Sequence, residues 1–334
     1  MDQNKLEKAQ SGIEKGGIIA EGVNFARDLV NEPPDVATPA LLAETALSIK
    51  GIECRIIERD EAEKLGMGAF LAVAKGSEFP PKFIHMSYKP KGVSKKKVAI
   101  IGKGITFDSG GLDIKPASGM VNMKDDMAGA AAVIAVMRVL PLLKPDVEVH
   151  GIVAACENMP DGKAYRPGDV LKSLSGKTIE IDNTDAEGRL TLADAITYAK
   201  NIGVDEIIDL ATLTGACMVA LGRVASGIMG NNQELINRLI KSAEDSGERL
   251  WQLPLYEEYK ESLKSDIADF KNTGSREGGA SIAGVFLKEF AGDTPWVHID
   301  IAGPSWLDKD IKELSKGPSG VGVRTLAHLF SLQQ

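Results

Sequence analysis

Short apolar runs alternate along this 334-residue chain with longer segments in which apolar residues recur every three or four positions. Such alternation is typical of α/β folds, in which helices cover both faces of a central sheet. The predicted strands are Ile52–Glu58, Lys82–Tyr88, Lys97–Ile101, Val147–Ala155, Lys177–Ile181, Glu206–Leu213 and Trp296–Ile301. We therefore predict an α/β three-layer sandwich with a central mixed, largely parallel β-sheet flanked by helices.

Three of the predicted helices have recognisable ends. Gly12–Val30 is followed by Asn31-Glu32-Pro33-Pro34, which stops it. Thr38-Pro39 opens the second helix as an N-cap followed by proline at the first helical position. The Ala-rich run Ala128–Leu140 is expected to end at Pro141. Two glycine-rich segments, Gly274–Gly279 and Gly317–Gly322, are interpreted as loops that are mobile or close to a ligand.

Composition narrows the class of protein. The chain has 47 acidic and 39 basic residues, so no basic excess is available to neutralise phosphates, and we predict no nucleic-acid partner. Cys54, Cys156 and Cys217 are odd in number and widely spaced, which favours buried thiols in a reducing compartment. The start lacks the apolar core of a signal peptide, and no apolar run looks long enough to cross a bilayer. We predict a cytoplasmic protein with no membrane partner.

The segment Ile181–Leu190 concentrates the chemistry of the chain. Asp185 and Glu187 supply hard oxygen ligands on a turn between a predicted strand and a predicted helix, where sites are commonly built. Arg189 adds a planar donor fork suited to an oxyanion. Taken alone, the same residues also fit an ordinary helix N-cap with acidic groups in the first turn. The segment is therefore a candidate metal site whose support must come from elsewhere.

That support lies in other polar residues next to predicted strand ends. Lys103 and Asp108 follow the strand ending at Ile101, and Lys115 comes shortly after them. Asp126 directly precedes the Ala-rich helix. Because ligands bind beyond the carboxyl ends of the strands in open α/β sheets, we expect these groups to meet the Ile181–Leu190 segment in one cleft.

Other chemistries fit the chain less well. Gly102-Lys103-Gly104 lacks the Gly-Lys-Ser/Thr of a phosphate loop, and Ser109-Gly110-Gly111 lacks the leading glycine of a nucleophile elbow. No His-Glu-x-x-His helix occurs. His85, His150 and His298 lie in apolar strands and are interpreted as structural. A two-metal phosphoesterase shares the carboxylate logic but is disfavoured by the candidate lysine ligand and the scarcity of histidines.

The octapeptide Asn183–Leu190 resembles the signature of the leucyl (cytosol) aminopeptidase family, peptidase family M17. Gly102–Gly111, Met123–Ala131 and Arg27–Pro34 resemble further segments of that family. The resemblance implies a zinc-exopeptidase-like fold. It also implies a leucyl aminopeptidase that hydrolyses the N-terminal peptide bond of peptides and prefers Leu and other apolar N-terminal residues.

The resemblance further implies a site with two divalent metal ions, Zn²⁺ or Mn²⁺, that activate a water. The implied metal ligands are Asp108 and Glu187 as bridges, Asp185 on one metal, and Asp126 with Lys103 on the other. Lys115 and Arg189 match the two catalytic cations, and Arg189 would hold a bicarbonate that relays a proton. Lys103 could bind a metal only as the neutral amine, which two nearby dications would favour.

The family's substrate-binding surroundings correspond to Met123, Asn183, Thr212, Leu213 and Gly215. Core packing is an equally simple interpretation of Met123 and Leu213. The resemblance also implies peptide substrates and assembly as a homo-hexamer.

Family members usually carry a separate N-terminal domain that this sequence does not match. We therefore interpret residues 1–35 as an N-terminal linker helix region that packs on the catalytic domain, and residues 36–334 as the two-metal aminopeptidase catalytic domain. A catalytically impaired, truncated homologue acting as a scaffold or binding protein is the alternative. Metal-dependent turnover of a leucine amide would distinguish the two.

Overall fold

The computed structural model describes residues 3–92, 94, 96–311 and 314–331, with the backbone alone for residues 3–5. The strands are β1 Glu53–Ile57, β2 Lys82–Tyr88, β3 Lys97–Asp108, β4 Glu148–Asn158, β5 Val170–Lys172, β6 Thr178–Glu180, β7 Glu206–Ala211, β8 Ser226–Gly230, β9 Leu250–Gln252, β10 Phe270–Lys271, β11 Trp296–Asp300, β12 Trp306–Leu307 and β13 Gly317–Pro318. The α-helices are α1 Gln3–Asn31, α2 Pro39–Leu47, α3 Arg59–Leu65, α4 Gly68–Val73, α5 Ala117–Met120, α6 Ala128–Leu143, α7 Gly188–Asn201, α8 Gly215–Leu221, α9 Gln233–Ser246, α10 Gly279–Ala291 and α11 Val323–Ser331.

An eight-stranded sheet forms the centre of the molecule, in the order β1-β2-β4-β3-β7-β11-β8-β9. Neighbours from β4 to β11 run parallel, as do β8 and β9. β1 with β2, β2 with β4, and β11 with β8 are antiparallel. The predicted mixed, largely parallel sheet is confirmed.

Helices cover both faces of this sheet. Apolar residues of α1, α2, α6, α9 and α11 form the core on one face, and those of α3, α4, α7 and α10 form the core on the other. At the centre, Gly102 on β3 faces the first turn of α6, and a Cβ on Gly102 would lie 2.4 Å from the carbonyl oxygen of Gly129. This close approach seats the start of α6, and Asp126 just before it, directly against β3.

The strand expected at Lys97–Ile101 is longer than predicted. It continues to Asp108 and stays paired with β4, with an irregularity between Ile105 and Asp108. Lys103 and Asp108 therefore lie within the strand and not in a loop after it. Gly102 and Gly104 interrupt the apolar pattern in the sequence, but they are the residues that permit close contact with α6 and β4.

Two further expectations need correction. The Ala-rich helix does not stop at Pro141 but runs to Leu143 and ends at Lys144, whose φ is 54°. A proline in the last turn removes one helical hydrogen bond without breaking the preceding turns. The strand expected at Lys177–Ile181 is β6, and it belongs to a separate three-stranded sheet with β5 and β10. The loop 181–187 between β6 and α7, which we call the signature loop, thus reaches the central sheet from the side.

The helix at the start of the chain is also longer than the predicted Gly12–Val30. It packs against α6 and α11 on one face of the sheet. The assignment of residues 1–35 as a linker region to the catalytic domain stays a prediction.

From the sequence we expected no apolar run long enough to cross a membrane. The structure corrects this expectation, because one helical run is long and apolar enough. The helical run Ala117–Leu143 passes by length and composition alone, with a mean hydropathy of 1.7 over an 18-residue window. Inside the fold, 83% of that window is buried. Its apolar character is that of a core helix packed on the sheet and α1.

The strand histidines and the cysteines are placed largely as expected. His85 joins the hydroxyl of Tyr198 and the ring of His150 by hydrogen bonds, and His298 Nδ1 lies 2.5 Å from the carboxylate of Asp209. All three cysteines are free, but Cys54 is only half-buried, because β1 is the edge strand of the sheet.

Asp194 on α7 ties one helical layer to the small sheet. Its buried carboxylate accepts the backbone N–H of Phe70 at 2.9 Å and that of Leu174 at 2.8 Å. Asp194→Ala leaves both donors unpaired, so we expect the free energy of unfolding in urea to fall by about 3 kcal/mol. Asp194→Asn keeps one acceptor and should lose less. An alanine variant as stable as the wild type would show that water replaces the carboxylate.

Candidate active site

One cleft at the carboxyl edge of the central sheet gathers the predicted metal ligands and Lys115, one of the two predicted catalytic cations. They come from four segments: Lys103 and Asp108 from β3, Lys115 from the loop after β3, Asp126 from the 3₁₀ helix Met123–Met127, and Asp185 with Glu187 from the signature loop. We call this the main cleft; its volume is about 470 Å³.

Two lysines bridge four carboxylates at the bottom of the main cleft. Lys103 Nζ lies 2.7 Å from Asp126 Oδ2 and 2.8 Å from Glu187 Oε1. Lys115 Nζ lies 2.8 Å from Asp108 Oδ2 and 2.5 Å from Asp185 Oδ1. The lysines leave an excess of carboxylates in a mostly buried place, which is the charge imbalance that a divalent cation would correct.

The carboxylates also have the geometry of a cation site. Asp108, Asp185 and Glu187 each offer an oxygen, and these oxygens lie within 4.8 Å of one another. Among the described side chains, Asp126 Oδ2, Asp185 Oδ1 and Glu187 Oε2 are buried and form no hydrogen bond, although the first two are within ion-pair distance of a lysine. Glu187 Oε2, which has no partner among the described residues, is the kind of buried acceptor that fits a metal ligand.

The pKa shifts in the cluster also indicate a place for a cation. Burial, together with repulsion from neighbouring carboxylates, raises the pKa of Asp126 and of Glu187 above the usual range despite Lys103 nearby. For Lys103, burial alone would lower the pKa, but Asp126 and Glu187 outweigh it and raise the pKa. With these carboxylates free, Lys103 is an ammonium ion. Its use as a metal ligand requires bound cations to take over the carboxylate charge.

Gly188, the first residue of α7, makes room for this lysine. A Cβ at position 188 would lie 2.4 Å from Lys103 Cε and 2.7 Å from its Nζ. The lysine side chain is itself almost fully buried and lies against the helix start. The octapeptide Asn183–Leu190 therefore contributes the space for the Lys103 side chain as well as candidate metal ligands.

The signature loop is held by Asn272, which sequence analysis did not identify. Its Oδ1 accepts the N–H of Asp182 at 2.8 Å, and its Nδ2 donates to the carbonyls of Asn183 at 2.6 Å and Ala186 at 3.3 Å. The Asn272 carbonyl accepts from Arg189 Nη1 at 2.8 Å. A lone asparagine 83 to 90 positions away from these partners gives no sequence signal.

Two other positioning residues were also missed. Asn158 at the end of β4 donates from Nδ2 to Asp108 Oδ1 at 2.8 Å and to the carbonyl of Thr184 at 3.0 Å. The hydroxyl of Tyr165 donates to the same carbonyl at 2.6 Å. These bonds link β3, β4 and the signature loop, so the oxygen ligands are held from more than one direction.

Arg189 does not line the main cleft. It lines a second cleft on the other side of the signature loop, which we call the side cleft. Its Nε is buried without a hydrogen bond among the described residues, and burial lowers the pKa of Arg189 to about 10. Arg189 is therefore still a cation at neutral pH, with one donor available to an anion.

The predicted substrate-binding residues divide between the two clefts. Met123, Thr212, Leu213 and Gly215 line the main cleft, whereas Asn183 lines the side cleft. Thr212 donates its hydroxyl to Asp126 Oδ1 at 2.7 Å.

Asp300, another residue that the sequence did not reveal, holds the segment that follows Thr212. Its carboxylate accepts the N–H of Leu213 at 3.3 Å and the hydroxyl of Thr214 at 2.7 Å. The wall of the main cleft therefore rests on the end of β11.

Comparison with known proteins supports the family resemblance that the octapeptide suggested. The model of the cytosol aminopeptidase family, catalytic domain, matches residues 24–327. Three proteins called probable cytosol aminopeptidase are similar to this chain. The protein from Gloeobacter violaceus is 55% identical to it, that from Nostoc punctiforme 54% and that from Aquifex aeolicus 52%. These alignments cover 99%, 96% and 95% of this chain and 68%, 66% and 65% of the respective relatives. The chain thus spans about two thirds of the length of these relatives.

Proposed function

The chain belongs to the cytosol aminopeptidase family, and on that basis we propose that it is a metal-dependent aminopeptidase acting in the main cleft. The observation that carries the proposal is the cluster of four carboxylates and two lysines, in which Glu187 Oε2 is buried with no partner among the described residues. Such a donor set suits divalent cations.

Five side chains would hold the metals. Asp108 and Glu187 would serve both ions, Asp185 one of them, and Asp126 with Lys103 the other. When bound, a pair of divalent cations would lower the pKa of a water at neutral pH and polarise the scissile carbonyl. The convergence of Asp108, Asp185 and Glu187 oxygens supports this assignment.

The protein's own cations then act on the substrate. Lys115 is anchored by Asp108 and Asp185, and these carboxylates raise its pKa although burial opposes them. It stays charged at neutral pH and would donate to the developing oxyanion. Lys103 would lose its proton when cations bind, leaving a neutral amine as ligand.

Arg189 would hold an anion for proton transfer, and bicarbonate is the anion we propose. The support is its buried Nε, which has no hydrogen-bond partner among the described residues, and its nearness to the signature loop. The charge of Glu187 acts on the Arg189 guanidinium, so an anion held there would lie near the carboxylate cluster. We propose that this anion accepts a proton from the attacking water, since no histidine of the described chain lines either cleft.

Substrate preference and assembly are further parts of the proposal. Met123, Leu213, Met218 and Trp306 give the main cleft an apolar wall, which suits Leu and other apolar N-terminal side chains. A homo-hexamer in the cytoplasm, with Zn²⁺ or Mn²⁺ as the native metal, follows from the family resemblance. Light scattering of the purified chain tests the assembly directly.

The first test is removal and return of metal. Protein stripped with a chelator should lose hydrolysis of leucine p-nitroanilide, and added Mn²⁺ or Zn²⁺ should restore it together with about two bound ions per chain. Circular dichroism of the stripped protein serves as the control for folding. A folded, metal-loaded protein that releases no product would overturn the proposal and favour a scaffold or binding role.

A further inference from the structure

A pocket of about 430 Å³ lies beside the main cleft, at the start of β8. We call it the β8 pocket. Its described wall comes mainly from residues 223–226, which lead into β8, residues 247–249 before β9, Pro304 and residues 307–309 after β11, and Ser319, Val321 and Arg324 near the start of α11. A space of this size is typical of small-molecule sites.

Ser226 on the wall of this pocket is fully buried, and its hydroxyl forms no hydrogen bond within the described part of the chain. A Cβ on the next residue, Gly227, would lie 2.8 Å from Cys217 Sγ, so Gly227 faces α8. Because side chains alternate along a strand, Ser226 faces the opposite side of the sheet, where Val321 packs. Val321 lines the β8 pocket as well, so the hydroxyl is directed to the side on which a ligand would lie.

The charged groups of the β8 pocket leave an excess of positive charge. The cations are Arg223, Arg249, Lys309 and Arg324, and the carboxylates are Glu248 and Asp308. Glu248 Oε1 lies 3.4 Å from Arg324 Nε, and Asp308 Oδ2 lies 3.1 Å from Arg223 Nε. Arg249 and Lys309, in contrast, form no ion pair or side-chain hydrogen bond among the described residues. These two cations are therefore free to act on an anionic ligand.

The unused hydroxyl and the free guanidinium belong to neighbouring backbone segments. The N–H of Ser226 donates to the carbonyl of Arg249 at 3.0 Å, which joins the start of β8 to the residue before β9. Val224, Leu307 and Val321 add apolar surface to the same pocket. A ligand with one anionic end and an apolar body fits this combination of groups.

The β8 pocket shares a wall with the main cleft. Ser305 and Trp306 line the main cleft, whereas Pro304 and Leu307 line the β8 pocket. Arg223 lines both. No residue of the lysine–carboxylate cluster belongs to the described wall of the β8 pocket. Binding here therefore requires no metal ion, although the ligand would lie against the wall of the proposed active site.

We propose that the β8 pocket binds small carboxylates with an apolar chain, a function beyond the aminopeptidase activity and independent of it. Arg249 and the Ser226 hydroxyl hold the carboxylate, Lys309 adds positive potential, and the chain lies against Leu307 and Val321. Since Arg249 and Lys309 are exposed to solvent, the contribution of each to affinity should be about three- to fivefold.

Isothermal titration calorimetry of the metal-loaded protein with octanoate and with uncharged octanamide tests the site. We expect octanoate to bind about tenfold more tightly than octanamide, because two cations act on its charge. Arg249→Ala should weaken octanoate binding about three- to fivefold and leave octanamide binding unchanged. Arg276→Ala is the matched control, because Arg276 is also an exposed arginine but lines the side cleft and not the β8 pocket.

Ser226→Ala is a second variant, with opposite effects on binding and stability. It should weaken octanoate binding about tenfold, because the carboxylate loses a hydrogen-bond donor. Without ligand, the variant should be at least as stable in urea as the wild type, because alanine removes a buried hydroxyl that has no partner among the described residues.

Three results would overturn the carboxylate site: equal affinity of the wild type for octanoate and octanamide, no octanoate binding at all, or unchanged octanoate affinity in both Arg249→Ala and Ser226→Ala. An equal loss in Arg276→Ala and Arg249→Ala would do the same. Octanoate binding that disappears with the metal, and that Arg249→Ala leaves unchanged, would place the carboxylate in the main cleft instead. Because the titration measures binding and not turnover, this inference and the proposed function fail separately.

Discussion

Glu187→Gln should reduce kcat/KM for leucine p-nitroanilide by about 10³-fold or more and lower the bound metal. Glu187 Oε1 lies 2.8 Å from Lys103 Nζ, and its Oε2 is buried without a hydrogen bond among the described residues. Glutamine keeps the shape but removes the charge and replaces one acceptor oxygen with a donor. Loss of an outer partner of a metal ligand already costs about 10–100-fold, so loss of Glu187, which we propose as a ligand itself, should cost more.

The matched control is Glu206→Gln. Glu206 is also buried and paired with cations, Lys96 and Arg238, but it lies at the opposite end of β7 from the site. This variant should lose some stability and keep its metal content. Metal analysis and steady-state kinetics on both variants separate the two effects. Full activity with two bound ions in Glu187→Gln would remove Glu187 from the metal site.

Gly188→Ala should inactivate the protein without unfolding it. Alanine is a better helix former than glycine, so helix propensity alone predicts equal or greater stability. The new Cβ would lie 2.4 Å from Lys103 Cε, and the lysine is buried, so little space is open for it to move into. Because misplacement of a catalytic group by about 1 Å can cost about 10²-fold, we expect a loss of at least that size.

Gly16→Ala provides the comparison. Gly16 is also helical, but no described atom lies within 4 Å of where its Cβ would stand, so the substitution should leave activity unchanged and raise stability slightly. Thermal unfolding and metal content complete the measurement. If Gly188→Ala binds two metals and turns over normally, Lys103 has another accessible conformation and is not a required ligand.

The sequence predicted the layered architecture well, because strands buried in a largely parallel sheet are nearly continuous apolar runs. It placed β3 too short, since glycines at positions 102 and 104 resemble a loop until the helix packed against them is known. It also assigned β6 implicitly to the central sheet, because strand propensity carries no information about the partner strand.

The sequence also revealed some residues of the candidate site and not others. The cluster residues were all named from the sequence, since acidic and basic residues next to apolar runs are visible in the printed chain. Asn272 and Asp300 were not, because each acts through hydrogen bonds to residues more than 80 positions away. The cleft that Arg189 lines was equally hidden, since its Nη1 is held by the carbonyl of Asn272, 83 positions away.

The hydrogen bonds of the Asn272 side chain have a consequence for any attempt to move this site into another protein. Its oxygen accepts from Asp182 and Asn183, and its nitrogen donates to Asn183 and Ala186, so every hydrogen-bonding position is spent on the signature loop. The contiguous octapeptide is therefore one half of a two-part module. A graft that carries the octapeptide without β10 and the Asn272 that follows it would transfer the candidate ligands. It would lack the hydrogen bonds that hold the signature loop in its shape.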